Sequence, residues 1–384
     1  MTEAASAHKS PRLRVLHVSP AHPFTDPRIV YKQTVSLSER YEVWCALPGA
    51  NPSQTGRVRF LRLPFFRALW KRLVFCHPVI LLRIIRVRPD ILHLYMPELL
   101  PIGFLCHWFG IRVVYEVQEN LYQKMNTKKT NNNWLFQKLF AWFDQRARRH
   151  FYLVFTEDSY LPEYDTLSKP YALVHNFPDT DALAAFRKPY LSASEGPPEF
   201  LYVGLISLER ALDTLVQAVA LLKPLFPAIR IHMFGRCTVP EAVLRQLPGF
   251  GQVQENLVFY GQSDHAVAMP FAARCVAGLA VLKPVGDYPG SYPTKLFEYM
   301  ALGLPVITSD FALYRDVVDS NACGFCIDPY DARILADRMQ FLIEHPQQAE
   351  SMGRNGWAAV QRLYNWKSEQ DQLLTLYRKV EQNQ

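Results

Sequence analysis

The stretch that most constrains this chain runs from Leu282 to Asp310 and divides into a loop, a helix and a strand. Its first part is rich in Pro, Gly, Asp and Ser, residues that favour loops. The residues that follow predict a helix over Lys295–Leu302, with Thr294 as its N-cap and Gly303 as its stop. The apolar run Leu304–Thr308 predicts a buried strand. A loop, a helix and a buried strand in this order indicate an α/β fold.

The chemistry of this stretch suits a nucleotide. A loop that delivers backbone N–H groups to the start of a helix makes a site for phosphate. Lys295 lies in the first turn and adds a positive charge, and Glu298 follows one turn later on the same face. A cation for phosphate beside a carboxylate for hydroxyls fits a diphosphate and a ribose.

Residues 293–307 read PTKLFEYMALGLPVI and resemble the nucleotide-sugar signature of the retaining GT-B glycosyltransferases, glycosyltransferase family 4. The signature has the order P-x-K-x-x-E-Y-M-A-x-G-x-P-V-I, and the resemblance extends from His17 to the terminal helix. It implies an α/β chain with the GT-B fold, in which two Rossmann-like doubly wound domains face a central cleft. The first domain would bind the acceptor and the second the nucleotide sugar.

The resemblance implies a retaining glycosyltransferase that moves a sugar from a nucleotide-sugar donor to a glycan or lipid-linked saccharide acceptor, in bacterial cell-surface polysaccharide biosynthesis. Since no residue stands at a dependable position for a nucleophile, we expect front-face displacement without a covalent intermediate. Two alternatives remain open. One is a catalytically degenerate protein that keeps the nucleotide-sugar pocket, and the other is a GT-B nucleotide-sugar epimerase, which needs no acceptor.

The implied donor site lies in the second half of the chain. The segment YVGLISLER at 202–210 resembles the family loop Y-V-G-R-x-x-x-E-K, with Arg210 in place of Lys and Leu205 in place of Arg. Many relatives carry a second Glu eight residues before the position of Glu298. This chain has Gly290 there. The residues implied to bind the nucleotide sugar are Gly204, Arg210, Gly235, Gly290, Ser291, Tyr292, Pro293, Thr294, Lys295 and Glu298.

The first half supplies further catalytic candidates. After the predicted strand Ile111–Val117, the family pattern D-x-H-E reads Glu116-Val-Gln118-Glu119. The usual His, which meets the donor sugar in the family, is absent, and Gln118 would be its neutral hydrogen-bonding substitute. The predicted catalytic residues are Gln118, Glu119, Arg210 and Lys295.

The acceptor candidates follow the first strands. The opening loop resembles the branch that reads H-P-x-x-D-x-R, and His22 is the residue expected to face the cleft. We interpret Asp26 and Arg28 as a local cap and ion pair, with a catalytic role as the alternative. His93 and Glu98 follow the strand Asp90–Tyr95 at its carboxyl end, where open sheets place ligands. The loop has no G-x-G-x-x-G, which argues against NAD or FAD.

The predicted domains are 12–187 for the acceptor and 200–362 for the nucleotide sugar, joined by a Pro- and Ser-rich linker at 188–199. A terminal helix at 363–384 would cross back to the first domain. A further loop at Gln123–Asn133 is polar and is a candidate acceptor flap. The predicted strands are Leu13–Ser19, Tyr41–Leu47, Asp90–Tyr95, Ile111–Val117, Phe151–Thr156, Tyr171–Asn176, Phe200–Val203, Ile229–Phe234, Leu257–Gly261, Val276–Leu282 and Leu304–Thr308.

No metal and no cofactor are expected, since the nucleotide sugar is a substrate. Asp179-Thr-Asp181 spells a D-x-D, but it precedes a short helical pattern, so a helix cap explains it. Cys323 and Cys326 form a lone C-x-x-C, which is a weak metal signal. Seven cysteines, an odd number, indicate a reducing cytosol. No apolar run predicts a signal peptide or a membrane span.

The positive charge of the chain is concentrated in one segment. The stretch Val43–Pro89 contains no acidic residue, whereas the rest of the chain is slightly acidic. Its basic residues are Arg57, Arg59, Arg62, Arg67, Lys71, Arg72, Arg83, Arg86 and Arg88. The neighbouring aromatic residues Phe65, Phe66 and Trp70 favour an anionic membrane surface as the partner, on the cytoplasmic face. A solvated basic face is the alternative, and nucleic acid is not expected because no such module is recognisable.

Overall fold

The computed structural model describes residues 12–51, 56–119, 134–188 and 196–382. These residues form two compact units. The first contains the described residues up to Val174 together with those from Glu369 onward, and the second extends from His175 to Ser368. The loop predicted at 123–133 and most of the predicted linker lie outside the described residues.

The first unit is built on a parallel sheet of seven strands in the order β3-β2-β1-β4-β5-β6-β7. Chain order reverses between β1 and β4, and in open α/β sheets such a switch point opens a crevice at the carboxyl ends of the strands. The strands are β1 Arg14–Val18, β2 Glu42–Pro48, β3 Arg59–Leu63, β4 Ile91–Leu94, β5 Arg112–Val117, β6 Tyr152–Phe155 and β7 Tyr171–Leu173. The sequence did not predict β3, because its basic residues masked the alternating burial of an edge strand.

Helices cover both faces of this sheet. A π-helical segment, Pro27–Gln33, continues into α1, Thr34–Ser38, and the others are α2 His77–Val87, α3 Leu100–Trp108, α4 Trp134–His150 and the C-terminal helix Trp366–Gln382. Residues of α2, α3 and α4 share one apolar core with the sheet, which includes Ile80, Ile102 and Ala147.

Three stacked rings lie buried in the first unit. His17 and His93 are register partners on β1 and β4, with ring centroids 4.8 Å apart, and Tyr95 stacks on His93 at 4.5 Å. Nδ1 of His17 lies 2.6 Å from the Tyr95 hydroxyl, and Nδ1 of His93 lies 2.8 Å from that of Tyr377 in the C-terminal helix. Burial lowers the pKa of both histidines. The folded unit therefore holds them as neutral rings.

The second unit has a parallel sheet of six strands in the order β10-β9-β8-β11-β12-β13. Both sheets are doubly wound, so the predicted α/β class is confirmed. The strands are β8 Glu199–Val203, β9 Arg230–Phe234, β10 Leu257–Gly261, β11 Ala277–Ala280, β12 Val306–Ser309 and β13 Gly324–Ile327. The longer helices are α5 Leu212–Leu222, α6 Thr294–Ala301, α7 Ala312–Val318, α8 Ala332–Glu344 and α9 Pro346–Arg362. One-turn helices occur in this unit at Thr180–Leu183, Glu241–Leu244, Phe250–Val253 and His265–Ala268, and in the first unit at Leu69–Lys71.

Strand β13 was not predicted from the sequence, and two further segments differ from the prediction. Residues 175–187, assigned by sequence to the first domain, pack in the second unit, where the Phe177 ring lies 4.7 Å from that of Phe297. The terminal helix predicted at 363–384 begins instead at Trp366, because Asn365 accepts a hydrogen bond from the Ser368 N–H and donates to the Val360 carbonyl. This side chain ends one helix and caps the next.

We expect the free energy of unfolding to fall as the pH drops below about 6.5, the ordinary pKa of histidine. The pKa values of His17 and His93 are lowered in the folded chain. The unfolded chain therefore takes up protons that the folded chain does not, and each site costs up to about 1.4 kcal/mol per pH unit. Denaturant titrations at pH 7, 6 and 5 measure this slope.

The variant His17→Phe keeps a ring in the stack but takes up no proton, so its slope should be shallower by about one site. A His17→Phe slope equal to that of the wild type would contradict this account.

Candidate functional site

The site begins at the amino terminus of α6. The helix starts at Thr294, with Pro293 before it, and no described side chain caps its first turn. The predicted N-cap at Thr294 is therefore wrong, since its Oγ1 instead accepts a hydrogen bond from Asn176 Nδ2 at 3.3 Å. The predicted stop is confirmed, because Gly303 has φ +75° and its N–H donates to the Met300 carbonyl.

Close packing holds α6 against its sheet. A Cβ on Gly278 of β11 would lie 2.2 Å from the Tyr299 ring, so only glycine leaves room for that ring. The Tyr299 hydroxyl accepts a hydrogen bond from the Val203 N–H at 2.7 Å, where β8 ends. The same turns of α6 that carry Lys295 and Glu298 are thereby fixed beside the end of β8.

Lys295 has a buried amino group without a hydrogen-bond acceptor among the described residues. Its Nζ lies 4.0 Å from the centroid of the Tyr202 ring, and no described residue accepts a hydrogen bond from it. Burial, reinforced by the nearby Arg210, lowers the pKa of Lys295 well below its usual range, although Glu298 acts in the opposite direction. An anion placed at Nζ would remove this penalty.

Two further polar atoms at this site are buried without a partner among the described residues, Arg210 Nε and Ser291 Oγ. Arg210 ends the turn Leu208–Arg210, and its guanidinium lies 5.6 Å from the centroid of the Tyr288 ring. Buried polar atoms in folded proteins nearly always have partners. Orphaned atoms of Arg210, Ser291 and Lys295 therefore indicate a missing ligand, and two cations favour an anionic one.

Gly204 and Gly235, which the sequence predicted to bind the nucleotide sugar, allow two backbone turns to approach each other closely. Gly204 and Gly235 have φ of +123° and +145°, and a Cβ on Gly235 would lie 1.9 Å from the Gly204 carbonyl oxygen. Their N–H groups already donate to the carbonyls of Phe234 and Gly261. The turns at the ends of β8 and β9 thus approach each other more closely than any side chain would allow.

The backbone N–H groups of residues 290–294, expected to meet a phosphate, are available only in part among the described residues. The N–H groups of Gly290 and Ser291 donate to carbonyls within their own turn, at 3.0 and 3.4 Å. In the first turn of α6 the Leu296 N–H donates to the Pro293 carbonyl at 2.9 Å, which leaves the N–H groups of Thr294 and Lys295 available to an anion. Tyr292 packs its ring against Phe297, with centroids 5.4 Å apart, and so fixes the loop that leads into the helix.

Glu298 is buried, and its Oε1 lies 3.7 Å from Nδ1 of the half-exposed His265. A carboxylate in this position can accept hydrogen bonds from hydroxyl groups of a ligand. Sequence reasoning missed His265, because it stands 33 positions before Glu298 and shares no motif with it.

The first unit brings Gln118 into a buried cluster. Gln118 is half-buried and its Nε2 donates to Glu116 Oε1 at 2.7 Å, whereas Glu119 is exposed. The half-buried His22 has its Nδ1 2.7 Å from Ser19 Oγ, at the end of β1. Sequence reasoning did not identify Glu116 as a central residue of this cluster.

Two predicted acceptor residues do not fit that role. His93 has no exposed surface, because it is stacked between His17 and Tyr95. Glu98 is buried, and its Oε1 lies 2.5 Å from Nε of Arg72, so an ion pair explains its position. Both residues stabilise the first unit rather than offering a surface to an acceptor.

The interpretation of Asp26 and Arg28 as a cap and an ion pair is confirmed in part. Asp26 caps the π-helical segment by accepting from the Ile29 N–H at 2.9 Å. Arg28 pairs not with Asp26 but with Glu116, at 2.8 Å.

Asp179 caps the short helix Thr180–Leu183, as predicted, and its Oδ1 accepts from the N–H groups of Asp181 and Ala182. Across the ranges that the structure describes, no group of three His, Cys, Asp or Glu side chains has an arrangement that would hold a metal ion.

Residues 186–358 match the family model described as Glycosyl transferases group 1. A phosphatidyl-myo-inositol mannosyltransferase of Mycobacterium leprae is 29% identical over 171 residues, which are 44% of this chain and 43% of that protein. The chain matches only about two fifths of the length of such curated relatives.

Two solved structures are similar over nearly the whole chain. Sucrose-phosphate synthase from Thermosynechococcus elongatus has a TM-score of 0.73 at 18% identity, with 96% of this chain and 99% of that chain covered. Anabaena HepE in complex with UDP-glucose has a TM-score of 0.67 at 12% identity, with 96% and 100% covered. The fold is GT-B, with two Rossmann-like domains.

We expect Lys295→Met to raise the free energy of unfolding of the ligand-free protein by about 1–3 kcal/mol, the usual cost of a buried unsatisfied polar group. Methionine is of similar length and keeps the contact with the Tyr202 ring. Denaturant unfolding at pH 7 without ligand measures the difference.

The matched control is Lys283→Met. Lys283 Nζ lies 2.8 and 2.7 Å from the two carboxylate oxygens of Asp213, so its loss should lower the free energy of unfolding. A Lys295→Met protein less stable than the wild type would contradict the assignment of an unpaired ammonium.

Proposed function

We propose that this protein is a retaining, metal-independent glycosyltransferase of family 4, which transfers a hexose from a nucleotide sugar to a glycan or lipid-linked saccharide. The process would be bacterial cell-surface polysaccharide synthesis. The observation that carries this proposal is the set of buried atoms on Lys295, Arg210 and Ser291 that have no hydrogen-bond partner among the described residues. They lie beside the uncapped start of α6, within the segment that matches the group 1 family model.

Each residue has a role in this proposal. Lys295 and Arg210 bind the diphosphate and stabilise the charge that develops as it departs. Preorganised donors of this kind typically lower a barrier by roughly 3–4 kcal/mol each. Glu298 accepts hydrogen bonds from the ribose hydroxyls. The bound UDP-glucose of HepE supports a nucleotide sugar as the ligand class for this fold.

The proposal includes the absence of a covalent intermediate. The buried carboxylate of Glu116 is engaged by Arg28, Gln33 and Gln118, so it is not free to attack a sugar. The diphosphate itself would assist the incoming hydroxyl on the same face of the sugar. Asp179 is used as a helix cap, so the D-x-D needs no metal to explain it.

The acceptor side of the proposal rests on the surface of the first unit between β3 and α2. Phe65 and Trp70 are 58% and 60% exposed there, beside the exposed cations Arg67 and Lys71. Phe66, in contrast, packs against the core and is not part of this surface. We propose that the basic aromatic surface, formed by Phe65, Arg67, Trp70 and Lys71, docks on an anionic cytoplasmic membrane face that carries the acceptor.

None of the helices in the described part of the chain has the length and apolar character needed to cross a bilayer. Peripheral attachment would therefore depend on the basic aromatic surface. One matched relative is named as a phosphatidyl-myo-inositol mannosyltransferase, which supports a lipid acceptor as the class to test first.

We expect Glu298→Ala and Lys295→Ala to weaken nucleotide-sugar binding or turnover at least about tenfold, the scale of a lost charged contact. Calorimetry with UDP-, GDP- and dTDP-sugars in excess EDTA, followed by product analysis, measures both quantities. The control is Glu241→Ala, an exposed carboxylate that pairs only with Arg245 in the described structure. Full activity in both site variants would remove this proposal, and an isomerised sugar released without acceptor would identify an epimerase.

Nucleotide affinity should also fall as the pH rises. The free protein has a lowered pKa at Lys295, and a bound diphosphate raises that pKa, so binding takes up a proton wherever the free amine is neutral. Calorimetry from pH 6 to 9 should show this dependence in the wild type and not in Lys295→Met. A wild-type affinity independent of pH would contradict this assignment.

We expect the protein to sediment with anionic liposomes, and less as salt is raised, because each cation near the surface contributes about 1 kcal/mol. Charge reversal at Arg67 and Lys71 should abolish binding. Arg72 is left unchanged, since its pairing with Glu98 would make its loss a test of folding.

A matched control reverses Arg245 and Arg354, two exposed cations of the second unit, and should bind as the wild type does. Equal binding by all variants, or no binding to anionic liposomes, would favour a soluble acceptor.

A further inference from the structure

Glu116 precedes Val117, the last residue of β5. Its carboxylate is contacted by several side chains of the first unit. Its Oε1 accepts hydrogen bonds from Arg28 Nε at 2.8 Å and from Gln118 Nε2 at 2.7 Å. Its Oε2 accepts from Gln33 Nε2 at 2.6 Å and lies 3.4 Å from His93 Nε2. Four side chains, from the π-helical segment, β4 and the loop after β5, thus surround one buried carboxylate.

Glu116 is ionised in this setting. Burial by itself would raise its pKa, but the Arg28 guanidinium and the neighbouring His93, with the hydrogen bonds they donate, hold the pKa well below the usual range. An ionised carboxylate has no proton to donate and only accepts hydrogen bonds. Every polar group that faces Glu116 must therefore present a hydrogen-bond donor to its carboxylate.

This requirement fixes the orientation of two amides. Gln118 must turn its nitrogen toward Glu116, so its Oε1 points away from that carboxylate. Gln33 must likewise turn its nitrogen toward Glu116, and its Oε1 then accepts a hydrogen bond from the Tyr95 hydroxyl. The charge of Glu116 therefore determines which end of each amide in the cluster donates a hydrogen bond and which end accepts one.

We infer that Arg28 and Glu116 are positioning residues that hold the Gln118 carboxamide with its oxygen turned outward, as a hydrogen-bond acceptor for a sugar hydroxyl of the substrate. This inference rests on the proposed function, since it needs a sugar substrate with a hydroxyl group that reaches Gln118. It also gives a role to the D-x-R of the opening loop. Asp26 caps the π-helical segment through the Ile29 N–H and so places Arg28 against Glu116.

Other titratable side chains face Glu116 without competing for this role. The histidines have lowered pKa values and the tyrosines raised ones, chiefly through burial, so all of them are neutral near pH 7. The charged groups that determine the polarity are therefore Glu116 and Arg28. The neutral groups are His17, His93, Tyr95 and Tyr377.

The test is a double-mutant cycle on turnover. Glu116→Gln should lower kcat at least tenfold in the presence of Gln118, because an amide at 116 no longer dictates which end of Gln118 it faces. In the Gln118→Met background the same change should alter kcat less than twofold. A merely structural role would give the same loss in both backgrounds, and that result would overturn the inference.

A second variant guards against misfolding. Glu116→Gln leaves Arg28 as an unpaired buried charge, so Arg28→Met/Glu116→Gln is measured beside it, again in both backgrounds. Denaturant unfolding of each variant gives the folded fraction of the first unit, and kcat is expressed per folded molecule. Arg28→Met/Glu116→Gln should show the same loss in kcat as Glu116→Gln, again only in the presence of Gln118. Its affinity for the nucleotide sugar should be unchanged.

An NMR signal separates this inference from the proposed function. In protein labelled with ¹⁵N-glutamine, the Gln118 amide signal is identified by its loss in Gln118→Met. One of its two protons should exchange slowly with water and shift in Glu116→Gln. An insensitive signal would overturn the positioning role. A wild type without any turnover would instead overturn the proposed function and the sugar contact, while the NMR result still decides the positioning.

Discussion

The contact between Gly278 and Tyr299 determines the geometry of the second unit. The Tyr299 ring occupies the space where any other residue at 278 would place its Cβ, and its hydroxyl accepts from the Val203 N–H. Helix α6 consequently lies near enough to β8 for Lys295 to reach the Tyr202 ring. A longer distance would leave Lys295 in water, with a normal pKa and no unsatisfied charge.

The buried charged groups of Glu116 in the first unit and Lys295 in the second differ in their hydrogen-bond partners. Glu116 is buried among donors and forms an ion pair with Arg28, so its charge is stabilised in the absence of any ligand. Lys295 is buried with no described hydrogen-bond acceptor, and Arg210 nearby increases the repulsion. A satisfied network fixes one arrangement of its members. An unsatisfied cation instead costs stability until an anion binds, which is how a site becomes selective for charged ligands.

The sequence predicted the fold class and the position of α6 because those depend on local patterns. Apolar runs between loops identify parallel strands, and Gly303 ends a helix by adopting a positive φ. The edge strand β3 was missed because an edge needs only partial burial, so arginines at 59 and 62 are tolerated. Local patterns also predicted the Asp179 cap, which involves residues only two and three positions away.

The candidate site was less predictable, because its interactions join residues far apart in sequence. Arg28 and Glu116 are 88 positions apart, and nothing in either motif indicates that they pair. His93 and Glu98 stand at the carboxyl end of a strand, where ligands are common, yet both have partners that bury them. The position of a residue in the fold therefore predicts where a site lies. The partners of its side chain determine whether that residue remains available to a ligand.

The same reasoning applies to the basic segment of the first unit. Of its nine cations, Arg59 pairs with Glu42 and Arg72 with Glu98, and the other seven form no ion pair with any described residue. Seven unpaired positive charges equal the formal net charge of the whole chain, +7. The remaining charges balance, so the long-range field of the protein originates mainly from this segment. At physiological salt that field decays over about 8 Å, and it acts on a partner only when the surface beside Trp70 is already close.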